Sequence, residues 1–145
     1  LGTGDRTFDF NYDALQTGRR TVSNMNADGV LQGRSAKLFR GTIDFQKGAA
    51  GSKGDEKEDV LLLGEDVVNR TIPLILCAEE DVEGNHGASI GQLDEDILFY
   101  MNSRGLSRAE AELLITRSKL EALCAKANDP GLTDRVHRYL EENAQ

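Results

Sequence analysis

The chain has 145 residues, 39% of them hydrophobic and 29% charged, with a formal net charge of -8. That length suits one domain with at most a small appendage, and it can hold a core without disulfide staples. No stretch approaches the roughly 20 apolar residues of a membrane span, and the N-terminus carries no apolar signal region.

The charge is uneven along the chain. Residues 1–50 carry 7 basic and 5 acidic side chains, residues 51–100 carry 3 and 13, and residues 101–145 carry 7 of each. An acidic middle third repels phosphate backbones, so nucleic acid is excluded as the expected partner. Cys77 and Cys124 lack zinc or disulfide spacing and read as free thiols in a reducing compartment. A cytoplasmic protein is expected, with no membrane partner. A first residue Leu1 suggests a piece of a longer chain.

The first 92 residues read as short strands and turns. Thr7–Asn11 alternates polar and apolar residues as a half-buried strand does. Lys37–Arg40 and Thr42–Phe45 flank Gly41 as two further pieces. A Gly- and charge-rich loop from Gly48 to Glu58, the expected flexible segment, precedes the strand Asp59–Leu63. Thr71–Cys77 is apolar and β-branched, with Pro73 marking an edge or bend. Turns are expected at Asp28-Gly29, Gly33, Gly41, Gly64 and Gly84. No strict repeat is visible, and the spacing suits a β-solenoid as well as a sandwich.

After Gly91 the period becomes helical. Asp94 can cap a helix bearing Ile97, Leu98, Tyr100 and Met101, with Gly105 as its stop. Ser107-Arg108-Ala109-Glu110 is a capping box for a second helix, whose apolar stripe runs Leu113, Leu114, Leu120, Leu123, Cys124. Asn128–Gly131 breaks it, and a last helix from about Thr133 sets Val136, Tyr139 and Leu140 on one face. Strands followed by helices argue for a β-then-α architecture, divided into 1–92 and 93–145.

Chemistry is sparse. His86 sits between glycines in Glu83-Gly84-Asn85-His86-Gly87, a loop that can present an imidazole for metal or proton work. The plain alternative is a histidine hydrogen-bonded in a turn. The acidic run Glu79, Glu80, Asp81, Glu83 offers carboxylates for a cation, but strand alternation would stop them converging, so a solvated acidic edge is the simpler role. Cys77 lies nine residues before His86, where strand and turn geometry can bring thiol and imidazole together. At the end of an apolar strand, however, a cysteine is most often a small buried hydrophobe. Cys124 reads as core and His137 as exposed. Phosphate-loop, zinc-protease and nucleophile-elbow motifs are absent.

The stretch from Glu80 to Asp94, with His86-Gly87-Ala88-Ser89 at its centre, continues through Leu98-Phe99-Tyr100 and Ser103–Ser107. Together with Phe39-Arg40-Gly41-Thr42-Ile43, Leu61-Leu62-Leu63 and Ile72-Pro73-Leu74 upstream, it resembles the SufB/SufD family of iron–sulfur cluster assembly scaffolds. The resemblance covers roughly residues 30 to 120. It implies a partial right-handed parallel β-helix over 1–92 and a small helical ATPase-docking domain over 93–145, as in a C-terminal piece of such a scaffold. It also implies a non-catalytic subunit that binds a SufC-like ABC ATPase and pairs with a SufB-like paralogue or with itself.

Any iron–sulfur cluster would be transient and held at a subunit interface, with none expected in the isolated chain. Val67 falls where SufB-like members carry a persulfide-accepting cysteine, and Gly87 where they carry a glutamate, so the chain resembles the SufD-like branch. On this reading His86 is the cluster-assembly residue and metal ligand. Cys77 is a candidate substitute for the Cys-Ser that many relatives have at Gly84-Asn85. Leu98, Phe99, Tyr100, Arg104 and Gly105 would shape the ATPase-docking helix. Two other readings stand beside it: a metal-dependent enzyme using His86 with Glu80, Asp81 or Glu83, and an inert structural subunit.

Overall fold

The computed structural model describes every residue except Asn128, Pro130, Ala144 and Gln145. Six strands come first, β1 (Thr7–Gln16), β2 (Val22–Gln32), β3 (Ala36–Phe45), β4 (Ser52–Leu63), β5 (Val68–Cys77) and β6 (Val82–Gln92). Three helices follow, α1 (Glu95–Ser103), α2 (Arg108–Cys124) and α3 (Leu132–Asn143). The chain divides into two compact units, Leu1–Gly91 and Gln92–Gln145.

In the strand unit the odd strands form one parallel sheet, in the order β1-β3-β5, and the even strands another, in the order β2-β4-β6. Each strand therefore pairs with the strand two places on, as successive turns of a β-helix do. Thr7 pairs with Ala36, Val22 with Lys53 and Ala36 with Val68, so one turn takes 29, 31 or 32 residues. That variable period explains why no repeat is legible in the sequence.

The core lies between the two sheets. Along β3 every second residue is buried: Lys37, Phe39, Gly41, Ile43 and Phe45. On β4 the inward row is Ser52, Gly54, Glu56, Glu58 and Val60. Ile43, Phe45 and Ala49 form the central apolar cluster, with Ile75 and Val82 packed against it.

Three of the five expected glycine turns lie inside strands. Gly33 and Gly64 do turn the chain, at φ +66 and +134, but Gly29, Gly41 and Gly84 belong to β2, β3 and β6. At Gly41 and Gly84 the glycine answers a packing need. A Cβ on Gly41 would lie 2.6 Å from the Glu56 carboxyl, and one on Gly84 2.9 Å from Ile75 Cγ2. The expected flexible loop from Gly48 to Glu58 is likewise mostly strand, because β4 begins at Ser52 and turns alternate polar residues inward. β2 was not legible as a strand at all, since its sequence alternates small and polar residues. Pro73 fits the edge strand β5, where a missing N–H costs no ladder bond on the open side.

In the helical unit, Asp94 caps α1 by accepting from the Asp96 amide, and Ser107 and Glu110 form the full capping box of α2. Gly105 has φ +93, the left-handed conformation that ends α1. The inner positions of α2 are Ala111, Thr116, Leu120 and Cys124, while Leu113 and Leu114 are 40% and 50% exposed. The expected stripe is therefore wrong at its first two members. Of the expected break at Asn128–Gly131, Asn128 and Pro130 lie outside the described residues; α2 ends at Cys124 and α3 begins at Leu132. No described helix is long and apolar enough to cross a membrane.

Candidate functional site

Strand alternation decides where the site residues point, because side chains two apart share a face. Val82 packs on the core and Gly84 faces Ile75 and Phe45, so His86 lies on the same inward-facing row of β6. Glu83 lies on the other face, where it receives a hydrogen bond from Lys53 at 2.6 Å. His86 thus stands in the middle of a strand rather than in a loop. It is exposed although it faces inward, because β6 is the last strand of its sheet.

Cys77 occupies the matching place in the other sheet. It pairs with buried Phe45 and so continues the inward row of β3 into the edge strand β5. It is exposed, not the buried hydrophobe that its apolar neighbours suggest. Ile75 faces Gly84 across the interior, and Cys77 and His86 each lie two residues beyond that pair, in opposite directions. About four residues of strand, or roughly 13 Å, therefore separate thiol and imidazole along the sheets.

Behind His86 lies a polar interior that sequence reasoning missed. Lys37, 9% exposed, forms an ion pair with Glu58, 3% exposed. Thr71 donates its hydroxyl to Glu58, and Asn69 donates to the same carboxylate at 3.2 Å. Glu56 is 2% exposed, and its Oε2 has no hydrogen-bond partner. Burial pushes the Glu56 carboxyl above its ordinary value, the positive field of His86 opposes this, and neighbouring Glu58 adds to it. A signal was present in the sequence. Lys37 falls in step with Phe39, Ile43 and Phe45 at a period of two, and a cation on an apolar face needs a buried acid.

The acidic run does not converge on His86. Glu79 turns back to accept the Gly48 and Glu80 amides at 3.0 and 3.1 Å, which holds its carboxyl below the usual range. Glu83 is held low by Lys53 on the outer face. Among the described residues no three His, Cys, Asp or Glu side chains cluster as a metal site.

The helical unit presents a different surface. Leu98 is buried, at 2% exposed, whereas Phe99 and Tyr100 are 74% and 58% exposed. Arg104, the C-cap of α1, stacks over the Tyr100 ring at 5.2 Å from its centroid. His137 is half-buried, not exposed: Glu121 and Arg117 of α2 contact its two ring nitrogens.

Residues 1–119 match the family described as SUF system FeS cluster assembly, SufBD core domain. The chain is 30% identical over 115 residues to the iron–sulfur cluster assembly protein SufD of Bacillus subtilis, covering 79% of this chain and 26% of that protein. It is 35% identical over 111 residues to an iron–sulfur cluster assembly SufBD family protein of Mycobacterium tuberculosis, covering 75% of this chain and 13% of that protein. SufD of Escherichia coli is 27% identical over 107 residues, covering 74% and 25%. The chain thus spans about a quarter, or less, of the length of these relatives.

Proposed function

Since the chain belongs to the SufBD core family of the SUF iron–sulfur cluster assembly system, we propose that it is a non-catalytic, SufD-like scaffold subunit. The cluster is its cargo, built transiently where this chain meets a SufB-like paralogue. The observation that carries this reading is the placement of His86: inward-facing, yet exposed, on the terminal strand of its sheet. Neutral imidazole is a competent iron ligand, and the other ligands come from the partner subunit.

The edge strands support the pairing. β5 and β6 each end their sheet, with no further strand beside them among the described residues. Such an edge offers backbone donors and acceptors to a second chain. Cys77, an exposed thiol on the inward row of the other sheet, lies roughly 13 Å of strand from His86 and would serve the cargo only at a separate point of the interface. The ATPase-docking surface is assigned to α1, with Phe99, Tyr100 and Arg104 as the contacts. Leu98 holds the helix from behind, and Gly105 fixes the turn after it.

The metal-enzyme reading loses Glu83, which lies on the opposite face of β6 from His86, and among the described residues no three His, Cys, Asp or Glu side chains cluster as a metal site. An inert structural subunit is what a silent His86 would leave. Two measurements test the proposal. His86→Ala in the complex with the SufB-like subunit and the SufC-like ATPase is expected to lower cluster yield without altering the circular dichroism. Unchanged yield rejects the role of His86. Co-elution with the ATPase tests the docking surface, and Phe99→Ser with Tyr100→Ser is expected to abolish it.

A further inference from the structure

Two independent contacts fix how β4 and β6 lie beside one another. On the outer face Lys53 meets Glu83 at 2.6 Å. On the inner face Gly54 and Gly84 stand against the same ring: their Cβ atoms would lie 3.1 Å from Phe45 Cζ and 3.2 Å from Phe45 Cε2. Counting on from either pair, Glu56 and His86 are inward-facing neighbours on adjacent strands, about 4.8 Å apart in backbone spacing. Across the interior, Gly41 leaves the space that the Glu56 carboxyl fills.

The two buried glutamates differ in what they hold. Glu58 is engaged by Lys37, Thr71 and Asn69. Glu56 is 2% exposed and keeps Oε2 without a partner. An unengaged buried oxygen beside an imidazole has one use that needs no further group. Accepting the N–H of one ring nitrogen would fix the tautomer and ring plane and leave the other nitrogen's lone pair to the cargo.

We propose that Glu56 is the positioning residue of His86, its carboxylate orienting the imidazole from inside the β-helix. The inference rests on the cluster-assembly reading of His86 and extends it to a residue thirty positions earlier, on the strand beneath. Glu56 does not touch the cluster; it acts through the ring.

The test uses the whole protein, assembled with its partner subunit and labelled with ¹⁵N-histidine. Glu56→Gln keeps the side-chain shape and removes the charged acceptor. The expected result is a change in the His86 ring ¹⁵N shifts, together with a loss of about tenfold or more in cluster yield. Lys57→Ala, on the outer face of β4, is expected to change neither. If Glu56→Gln leaves both ring shifts and yield at wild-type values while His86→Ala abolishes yield, the inference is overturned and the role of His86 stands. If His86→Ala leaves yield unchanged, the cluster reading falls, and the ring shifts alone then decide whether Glu56 holds the imidazole. Should Glu56→Gln fail to fold, Glu56→Asp retracts the carboxylate by one methylene. Unchanged shifts in that variant overturn the proposal.

Discussion

Lys37 and Glu58 form a charged pair inside a protein interior, where each group alone would be costly. Lys37→Met leaves Glu58 with Thr71 and Asn69 but without a countercharge, and is expected to cost about 3–5 kcal/mol in urea unfolding. Glu56 behaves in the opposite sense. Its folded value is raised, chiefly by burial, so its contribution to stability is full below the unfolded carboxylate value and is lost as pH rises through the folded value. The groups facing it are Glu58, which adds to the rise, and His86, which opposes it; Lys37 is engaged with Glu58. Glu56→Gln removes that loss. Its stability relative to wild type is expected to grow as pH rises from the ordinary carboxylate range through the raised folded value, read from denaturation midpoints across a pH series. A variant that folds better and assembles cluster worse would mark a residue retained for function.

At the scale of elements, each strand of the β-helix is specified by alternation, and the glycines that break the apolar pattern are part of it. Gly54 faces Ile43 Cγ2, which an added Cβ would approach to 2.6 Å, and the Phe45 ring lies 3.1 Å away. A β-branched side chain and a buried ring cannot both yield cheaply. Gly54→Ala is therefore expected to cost about 1–3 kcal/mol, measured as a lowered unfolding midpoint. The helices depend more on their ends. Ser107→Ala removes the acceptor for the Glu110 amide and the partner of the Glu110 carboxylate, a loss of about 1 kcal/mol seen as reduced helicity. These caps were legible because capping is a local contract between residues three apart. The strand β2 and the first half of β4 were not, because small and charged residues reveal a strand only when the neighbouring turn of the coil supplies their partners.

For the molecule as a whole, the outer face of β5 carries Val68, Ile72, Leu74 and Leu76, each between 41% and 52% exposed. A row of apolar side chains on an edge strand favours self-association. Ile72→Lys with Leu74→Lys is expected to raise the concentration at which the isolated chain stays monodisperse by sedimentation velocity, with the strand signal unchanged. The net charge of -8 also keeps copies of the wild-type chain apart at low salt, so association is expected to strengthen as salt screens it.

The sequence by itself determined the β-then-α order, the caps of α1 and α2, the turns at Gly33 and Gly64, and, through an ordered series of motifs, the family. All of these are local patterns or their succession along the chain. Only the tertiary structure decided that Gly41 and Gly84 sit in strands, that Gly48–Glu58 supplies two buried carboxylates, that Cys77 is exposed, and that His86 stands beside Glu56. The reason is the same in each case. A coil that stacks every residue on one 29 to 32 positions away writes its partnerships at a distance that no local window spans.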